Sequence, residues 1–264
     1  MRRLALILAS IALPAAETRQ ERGKRVVDEA LKALGGERFL AMKDRVESGR
    51  VYSFYREQLA GLARATIYTR YLTPPVAPEP GKLYVRERQS FGKEEEYAVV
   101  FDEENGWQVT FRGARPVAED MLLRYQQTTR RNVLYILRQR LGESGLILES
   151  QGTNVLDNQP VEVVDIIDSE NLTTTVMFHY STKLPLRQVF IRRDPKTKAR
   201  FEEVTQFSKY RDAGGGVQWP MAIQRHRDGE KIFEIFSESV VVNQDLSDTL
   251  FTLPSDMKVL PRAR

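Results

Sequence analysis

Apolar and polar residues alternate with period two through much of the chain from Val155 to Pro254. That pattern puts one set of side chains on each face of a pleated sheet. Phe178 and Tyr180 carry it, then Leu186, Gln188 and Phe190, then Val217, Trp219, Met221 and Ile223; Ile232, Glu234 and Phe236 follow it less purely. Turn residues separate the runs at Asp157-Asn158, Ser181-Thr182-Lys183, Asp194-Pro195-Lys196, Ala213 to Gly216 and Asp228-Gly229. The spacing predicts a large antiparallel meander, unbroken by helix, that must curl around something.

The first half predicts helices and further strands. Val26, Val27, Ala30, Leu31 and Leu34 recur at helical spacing before Gly35-Gly36, a helix stop, and a short helical turn is expected over Arg38 to Met42. Strands are expected at Arg45 to Tyr55, Ala63 to Leu72, Lys82 to Phe91, Tyr97 to Asp102 and Trp107 to Phe111. The last two form a hairpin in which Asn105-Gly106 is expected to supply positive φ angles. Four prolines, Pro74, Pro75, Pro78 and Pro80, make the loop from Thr73 to Gly81 stiff and extended. One long helix is predicted from Pro116 to Leu141, with Pro116 in its first turn and Gly142 past its end. Its stripe runs through Val117, Met121, Tyr125, Thr129, Val133, Ile136, Leu137 and Leu141. Arg124, Arg130, Arg131, Arg138 and Arg140 are expected to form a solvated flank.

Residues 1–16 read as an export signal: Arg2 and Arg3, an apolar run from Leu4 to Leu13, and a small-residue exit at Pro14-Ala15-Ala16. The apolar run is about half the length of a membrane span. Residues 17–264 then form one domain, and the expected location is periplasmic. The chain has no cysteine, so its core must hold it without disulfides, and the net charge of +4 is spread over interspersed signs. That is not a nucleic-acid signature.

Candidate catalytic chemistry is nearly absent. His179 and His226 are the only histidines, each on a predicted strand among polar neighbours. Gly142-Glu143-Ser144-Gly145 lacks nucleophile-elbow spacing and follows a helix. Acidic pairs such as Asp165/Asp168 and Glu202/Glu203 point to opposite faces of a strand. Gly214-Gly215-Gly216 precedes no helix and reads as a hairpin turn. No catalytic residue, metal ligand or cofactor is assigned, and the expectation is a protein that is not an enzyme. What remains is an aromatic surplus on the strands. A meander of about ten strands over two helices has more concave surface than they cover, which favours an apolar cavity over a filled core. The candidate ligand-binding residues are Tyr52, Phe54, Trp107 and Phe111, then Phe178, Trp219 and Met221, with Met121, Tyr125 and Ile136 of the long helix facing inward as a lid.

Phe101-Asp102 followed by Gly106-Trp107 is similar to a "DG…W" hairpin, although Asp-Glu-Glu-Asn replaces its Asp-Gly start. Tyr180 to Arg187 resembles a "D..t.lp.r" hairpin with Tyr180 in place of the acid. Tyr210-Arg211 before Gly216-Val217 and Pro220 resembles "y..v.G...P", and Asn243, Leu246, Asp248, Phe251 and Pro254 resemble "N..l.d..F..P". These motifs and the order of elements resemble the exported LolA/LolB-like superfamily of outer-membrane lipoprotein-sorting carriers. The resemblance implies an α+β, mainly β fold: a large antiparallel sheet curled into a half-open barrel, capped by the N-terminal helix and the long central helix. It implies that the concave face holds a lipid or acyl chain, with lipoproteins among the partners. The superfamily's carriers latch the lid with a buried arginine, which no single arginine here matches. Its envelope-stress sensors imply an alternative, a sensor or scaffold that grips an envelope membrane protein. Neither reading includes nucleic acid or an integral membrane span.

Overall fold

The computed structural model describes residues 17–74, 76, 78, 79, 81–194 and 197–262. The export signal read over residues 1–16 lies outside them, as do Pro75, Pro80, Pro195 and Lys196.

Helix α1 (Arg19–Leu34) starts in a capping box in which the Thr18 side chain and Glu21 satisfy each other's backbone N–H groups. Val26, Val27, Ala30 and Leu34 are buried on one stripe, as their spacing predicts. Gly23 extends that stripe against a strand backbone, where a Cβ would stand 2.5 Å from the Leu148 carbonyl oxygen. The helix ends at Gly35 (φ 125°), and the Gly36 N–H reaches back to the Leu31 carbonyl at 2.9 Å. A single turn, α2 (Glu37–Leu40), follows and buries Phe39.

Thirteen strands then build one antiparallel sheet. They are β1 (Asp44–Tyr55), β2 (Gln58–Tyr71), β3 (Val85–Phe91), β4 (Tyr97–Phe101), β5 (Gly106–Thr110) and β6 (Gly113–Pro116), then β7 (Ile147–Leu156), β8 (Gln159–Ile167), β9 (Thr173–His179), β10 (Pro185–Arg193), β11 (Arg200–Asp212), β12 (Gln218–Arg227) and β13 (Glu230–Val242). The first six run outward from β1, and the last seven run back until β13 pairs with β1. Strands β6 and β7 are therefore the two edges, and the sheet stays open.

Most predicted turns are present: Asp157-Asn158, Lys183, Gly214 to Gly216 and Asp228-Gly229 all take positive φ. The Asn105-Gly106 expectation is corrected. Neither residue has positive φ; the Asp102 carboxylate instead accepts the N–H groups of Glu104 and Asn105. Gly106 is required for close approach, since a Cβ there would meet Val117 Cγ2 at 2.6 Å. The β1–β2 hairpin turns on Arg56 and Glu57, both left-handed, which carry no turn signature.

The single long helix is also corrected. Pro116 ends edge strand β6, where its missing N–H is tolerated. Helix α3 (Glu119–Arg130) follows and breaks at Arg131-Asn132. Asn132 caps a new start, accepting the N–H groups of Leu134 and Tyr135, so that α4 (Val133–Tyr135) continues as a π-helical turn over Ile136–Arg140. The main core packs α1, α2 and this segment against the inner face of β8, β9 and β11 to β13.

The C-terminal residues fasten across the outer face. Asp44 accepts the N–H groups of Gln244 and Leu246, Asp248 pairs with Arg70 and Arg86, and the Ala114 N–H of edge strand β6 donates to the Lys258 carbonyl. Covering an edge in this way removes an unpaired row of backbone groups.

Candidate ligand-binding interior

The segment joining β6 to β7 joins the two edges of one curled sheet, so it runs across the concave mouth. Helix α3 is the first part of that crossing. At its start Met121, Leu122 and Tyr125 pack on Val99, Phe101 and Val117, and the Tyr125 ring stacks on Phe101 with centroids 3.8 Å apart. Past its end Arg131 Nη1 donates to the Ile191 carbonyl at 2.9 Å, and the guanidinium stands 5.2 Å from the Phe190 ring centre. None of the twelve residues of α3 is fully buried. An open cleft of about 530 Å³ lies beside its end, lined by residues including Gln127, Arg131, Leu172, Ile191 and Arg193.

The next turns differ sharply. Val133, Ile136 and Leu137 are almost wholly buried. Gln188 accepts the Val133 N–H at 2.7 Å, and Gln139 Nε2 donates to the carbonyls of Leu72 and Tyr84. Arg140 donates to both Glu143 carboxylate oxygens at 2.6 and 2.9 Å, to Asp168 at 3.3 Å and to the Arg130 carbonyl. The expected solvated arginine flank is thus corrected for Arg130, Arg131, Arg138 and Arg140; Arg130 is largely covered and donates to Glu170 at 2.8 Å. Arg138 donates to the Met42 carbonyl and lies over Tyr71, while Arg124 alone keeps an open ion pair, with Asp120.

Register fixes which residues line the interior. Arg45, Glu47 and Val51 of β1 share a face with Thr69, Ile67 and Ala63 of β2, with Glu87 and Gln89 of β3, and with Val99 and Phe101 of β4. On the other side of β1 the same face carries Ile235 and Phe233, then Ile223 and Arg225, then Phe207 and Thr205. The interior therefore has three zones. The apolar plug of the main core fills the end near α1. A polar belt follows, holding Arg45, Glu47 and Glu87, with Arg225 on the same face one row beyond Ile223. Beside it lies an apolar patch of Val51, Ala65 and Ile235, with Ile67, Ile223 and Phe233 only partly buried.

The belt is incompletely satisfied. Arg45 Nη2 donates to Thr69 at 2.9 Å and its guanidinium lies 4.0 Å above the Trp219 ring, but Nε, 3.5 Å from Glu47, makes no hydrogen bond. Trp219 Nε1 and the Tyr125 hydroxyl are buried without a hydrogen-bond partner; Thr129 lies near that hydroxyl, out of bonding geometry. Burial pushes the Tyr125 hydroxyl well above its ordinary pKa and raises the Glu87 carboxyl, which Gln89 holds at 2.6 Å. Orphaned buried polar atoms are uncommon in native folds, and a bound water or ion is one way such groups are satisfied.

The ten residues singled out in the sequence divide into three groups. Ile136, Phe178, Trp219 and Met221 lie in the main core, and Met121 and Tyr125 lie on α3 against Phe101. Tyr52 and Phe54 belong to the convex face, where Tyr52 meets Phe236 edge-on at 6.0 Å and the Lys231 ammonium lies 4.7 Å from the Phe54 ring. Trp107 shares the outer face of β5 with Val100 and Pro116, and Phe111 stands 89% exposed just past β5. The structure does not bring these last four to the interior. Sequence reasoning passed over Arg45, Glu47, Glu87 and Arg225. Their one signal was charge at strand positions in phase with apolar residues, as Arg45 and Glu47 are with Val51.

His179 Nδ1 accepts the turn N–H groups of Ser181 and Thr182, a local structural role. Among the described residues no cluster of three or more metal-ligating side chains occurs, and no helix is long and apolar enough to cross a membrane.

The sequence matches no family model and no curated protein. Solved structures do resemble the fold. A domain assigned to outer-membrane lipoprotein sorting from Vibrio parahaemolyticus is 10% identical with a TM-score of 0.55, over 88% of this chain and 97% of that one. A DUF1329 family protein from Desulfovibrio piger is 12% identical with a TM-score of 0.59, over 89% and 98%. A LolA superfamily protein from Nitrosomonas europaea is 10% identical with a TM-score of 0.53, over 87% and 97%. The open sheet, its helical crossing and these likenesses together give this chain a LolA-like fold.

Proposed function

We propose that the protein is an exported, periplasmic binding protein for lipid or lipidated, hydrophobic cargo, held in the half-barrel interior beneath α3, and that it is not an enzyme. One observation carries the reading. A helix with no fully buried residue crosses the mouth of an open sheet, and part-exposed apolar side chains remain on the concave face. A closely packed inner face would bury Ile67, Ile223 and Phe233 fully, and here they are only partly buried. The lipoprotein-sorting and LolA superfamily assignments of the similar structures agree with this reading. Export rests on the charged and apolar run over residues 1–16. The test is native mass spectrometry of protein purified from an envelope fraction, with displacement of a neutral fluorescent hydrophobic probe. Co-purifying lipid or displacement by long-chain amphiphiles supports the reading, and a clean apo protein that ignores every probe refutes it.

A second reading, an envelope sensor or scaffold that docks a membrane protein, draws on the β1–β2 hairpin. There Tyr55, Leu59 and Leu62 are 67%, 57% and 59% exposed, an uncommon concentration of apolar surface. It predicts capture of an envelope protein that is lost on Leu59→Asp and unaffected by changes in the interior.

A further inference from the structure

We infer that the interior selects amphiphiles with an anionic headgroup, and that Arg225 is the residue that receives it. The inference deepens the cargo-binding reading and rests on it.

Arg225 sits on the inner face of β12, opposite Thr205 of β11 and Phe233 of β13, in phase with Ile223. Its side chain is exposed although the position points into the barrel. Arg225 lies three residues before the turn into β13, so an inward-facing side chain there reaches solvent at the open end of the half-barrel. Among the described residues the Arg225 side chain makes no hydrogen bond or ion pair; its guanidinium stands 5.6 Å from the centre of the Phe233 ring.

The carboxylates that could neutralise it are engaged elsewhere. Glu47 is held by Arg45 and accepts from Ser237 Oγ at 2.5 Å. Glu203 accepts from Arg192 Nε at 2.9 Å and Arg227 Nε at 3.0 Å. Glu87 accepts from Gln89, and burial favours its neutral form. The cation left over on this face is Arg225. An unpaired arginine fork on the inner face of a sheet is suited to carboxylate or phosphate, whose oxygens match its donors two at a time.

Beside it the patch of Val51, Ala65, Ile67, Ile223, Phe233 and Ile235 offers the chain of such a molecule a surface. The unpartnered Tyr125 hydroxyl on α3, the helix that crosses the mouth of the sheet, is a second donor available to such a headgroup. Headgroup and chain thus meet adjoining zones of one interior. The shared chemistry is one anionic head on one long chain, which both a fatty acid and a lysophosphatidate present.

The test is displacement of neutral N-phenyl-1-naphthylamine by hexadecanoate, its methyl ester, hexadecanol and a lysophosphatidate of equal chain length. The wild type is expected to bind the anionic members about ten- to a hundredfold more tightly than the ester and alcohol, the range of a charge-assisted bond. In Arg225→Gln that preference should collapse while affinity for hexadecanol is kept, which also demonstrates a folded variant. The ratio of hexadecanoate to lysophosphatidate separates a carboxylate site from a phosphate site. Equal wild-type affinity for charged and neutral heads, or a preference that survives Arg225→Gln, overturns the inference and leaves cargo binding standing. Binding of none of the four overturns both.

Discussion

Replacing Tyr125 by phenylalanine should stabilise the protein. The ring packs face to face on Phe101, 3.8 Å away and 5° from parallel, and nothing in that contact needs the hydroxyl. The hydroxyl is buried without a hydrogen bond, and leaving such a group unsatisfied costs about 1–3 kcal/mol. Tyr125→Phe removes that cost and keeps the ring, so the gain should lie near the lower half of that range. In a chain of this length each kcal/mol corresponds to about 2–4 °C in Tm. Tyr125→Ala provides the contrast: loss of a buried aromatic costs about 3–5 kcal/mol in a closed core, and less here because no residue of α3 is fully buried. Urea denaturation of the two variants and wild type, read by far-UV circular dichroism, measures both. A loss of 1 kcal/mol or more in Tyr125→Phe would refute the reasoning, because it would mean that the hydroxyl is bonded in the folded protein, with Thr129 as the nearest means.

Three further outcomes follow from the packing and charge described. Gly23→Ala should destabilise: alanine gains about 1 kcal/mol in helix propensity, but its Cβ would sit 2.5 Å from a backbone oxygen that cannot move aside, so a raised thermal midpoint would contradict the tight α1–β7 approach. Arg140→Met should lower stability by about 3–5 kcal/mol, measured by urea denaturation, because it leaves Glu143 and Asp168 buried without their shared cation; a change below 1 kcal/mol would mean that those carboxylates reach water. For Glu87, burial raises the folded-state pKa. Its favourable contribution is therefore complete below the unfolded pKa of about 4.3 and is lost as pH rises through the raised value. Glu87→Gln should accordingly match wild type near pH 4 and exceed its denaturation midpoint near pH 8, and equal midpoints at both pH values would show that the carboxyl is not held neutral.

The sheet was legible in the sequence because period-two alternation and left-handed turn residues are local signals. Asp157-Asn158 and Asp228-Gly229 mark hairpins without help from the rest of the chain. The phase between strands was not legible. Register shifts at Ser48/Gly49, Ser53/Phe54 and Arg225/His226 offset one strand against its neighbour, and a one-residue slip exchanges the faces. Tyr52 and Phe54 therefore alternate as cleanly as Phe178 yet lie on the convex side. The helix break was hidden by a continuous 3.6-residue stripe, although Asn132 is a strong N-cap residue in the middle of it. The arginines misled for another reason. Exposure is their usual fate, and burial of Arg140 depends on Glu143 and Asp168 arriving from a turn and a strand end. The ligand-binding reading began from aromatic residues, whereas the interior is distinguished by charged ones: Arg45, Glu47, Glu87 and Arg225 look like ordinary surface residues until pairing turns them inward.

On the proposed function, α3 is a loosely held strap over a cargo-binding interior, while the turns after Asn132 belong to the core. Amide hydrogen exchange read by mass spectrometry, with and without saturating hexadecanoate, tests this directly. Without ligand, peptides covering Glu119–Arg130 should exchange far faster than those covering Val133–Arg140, because local opening follows burial. Ligand should slow the first set and leave the second unchanged. Equal protection of the two segments in the free protein, or exchange in α3 that hexadecanoate does not alter, would contradict the claim.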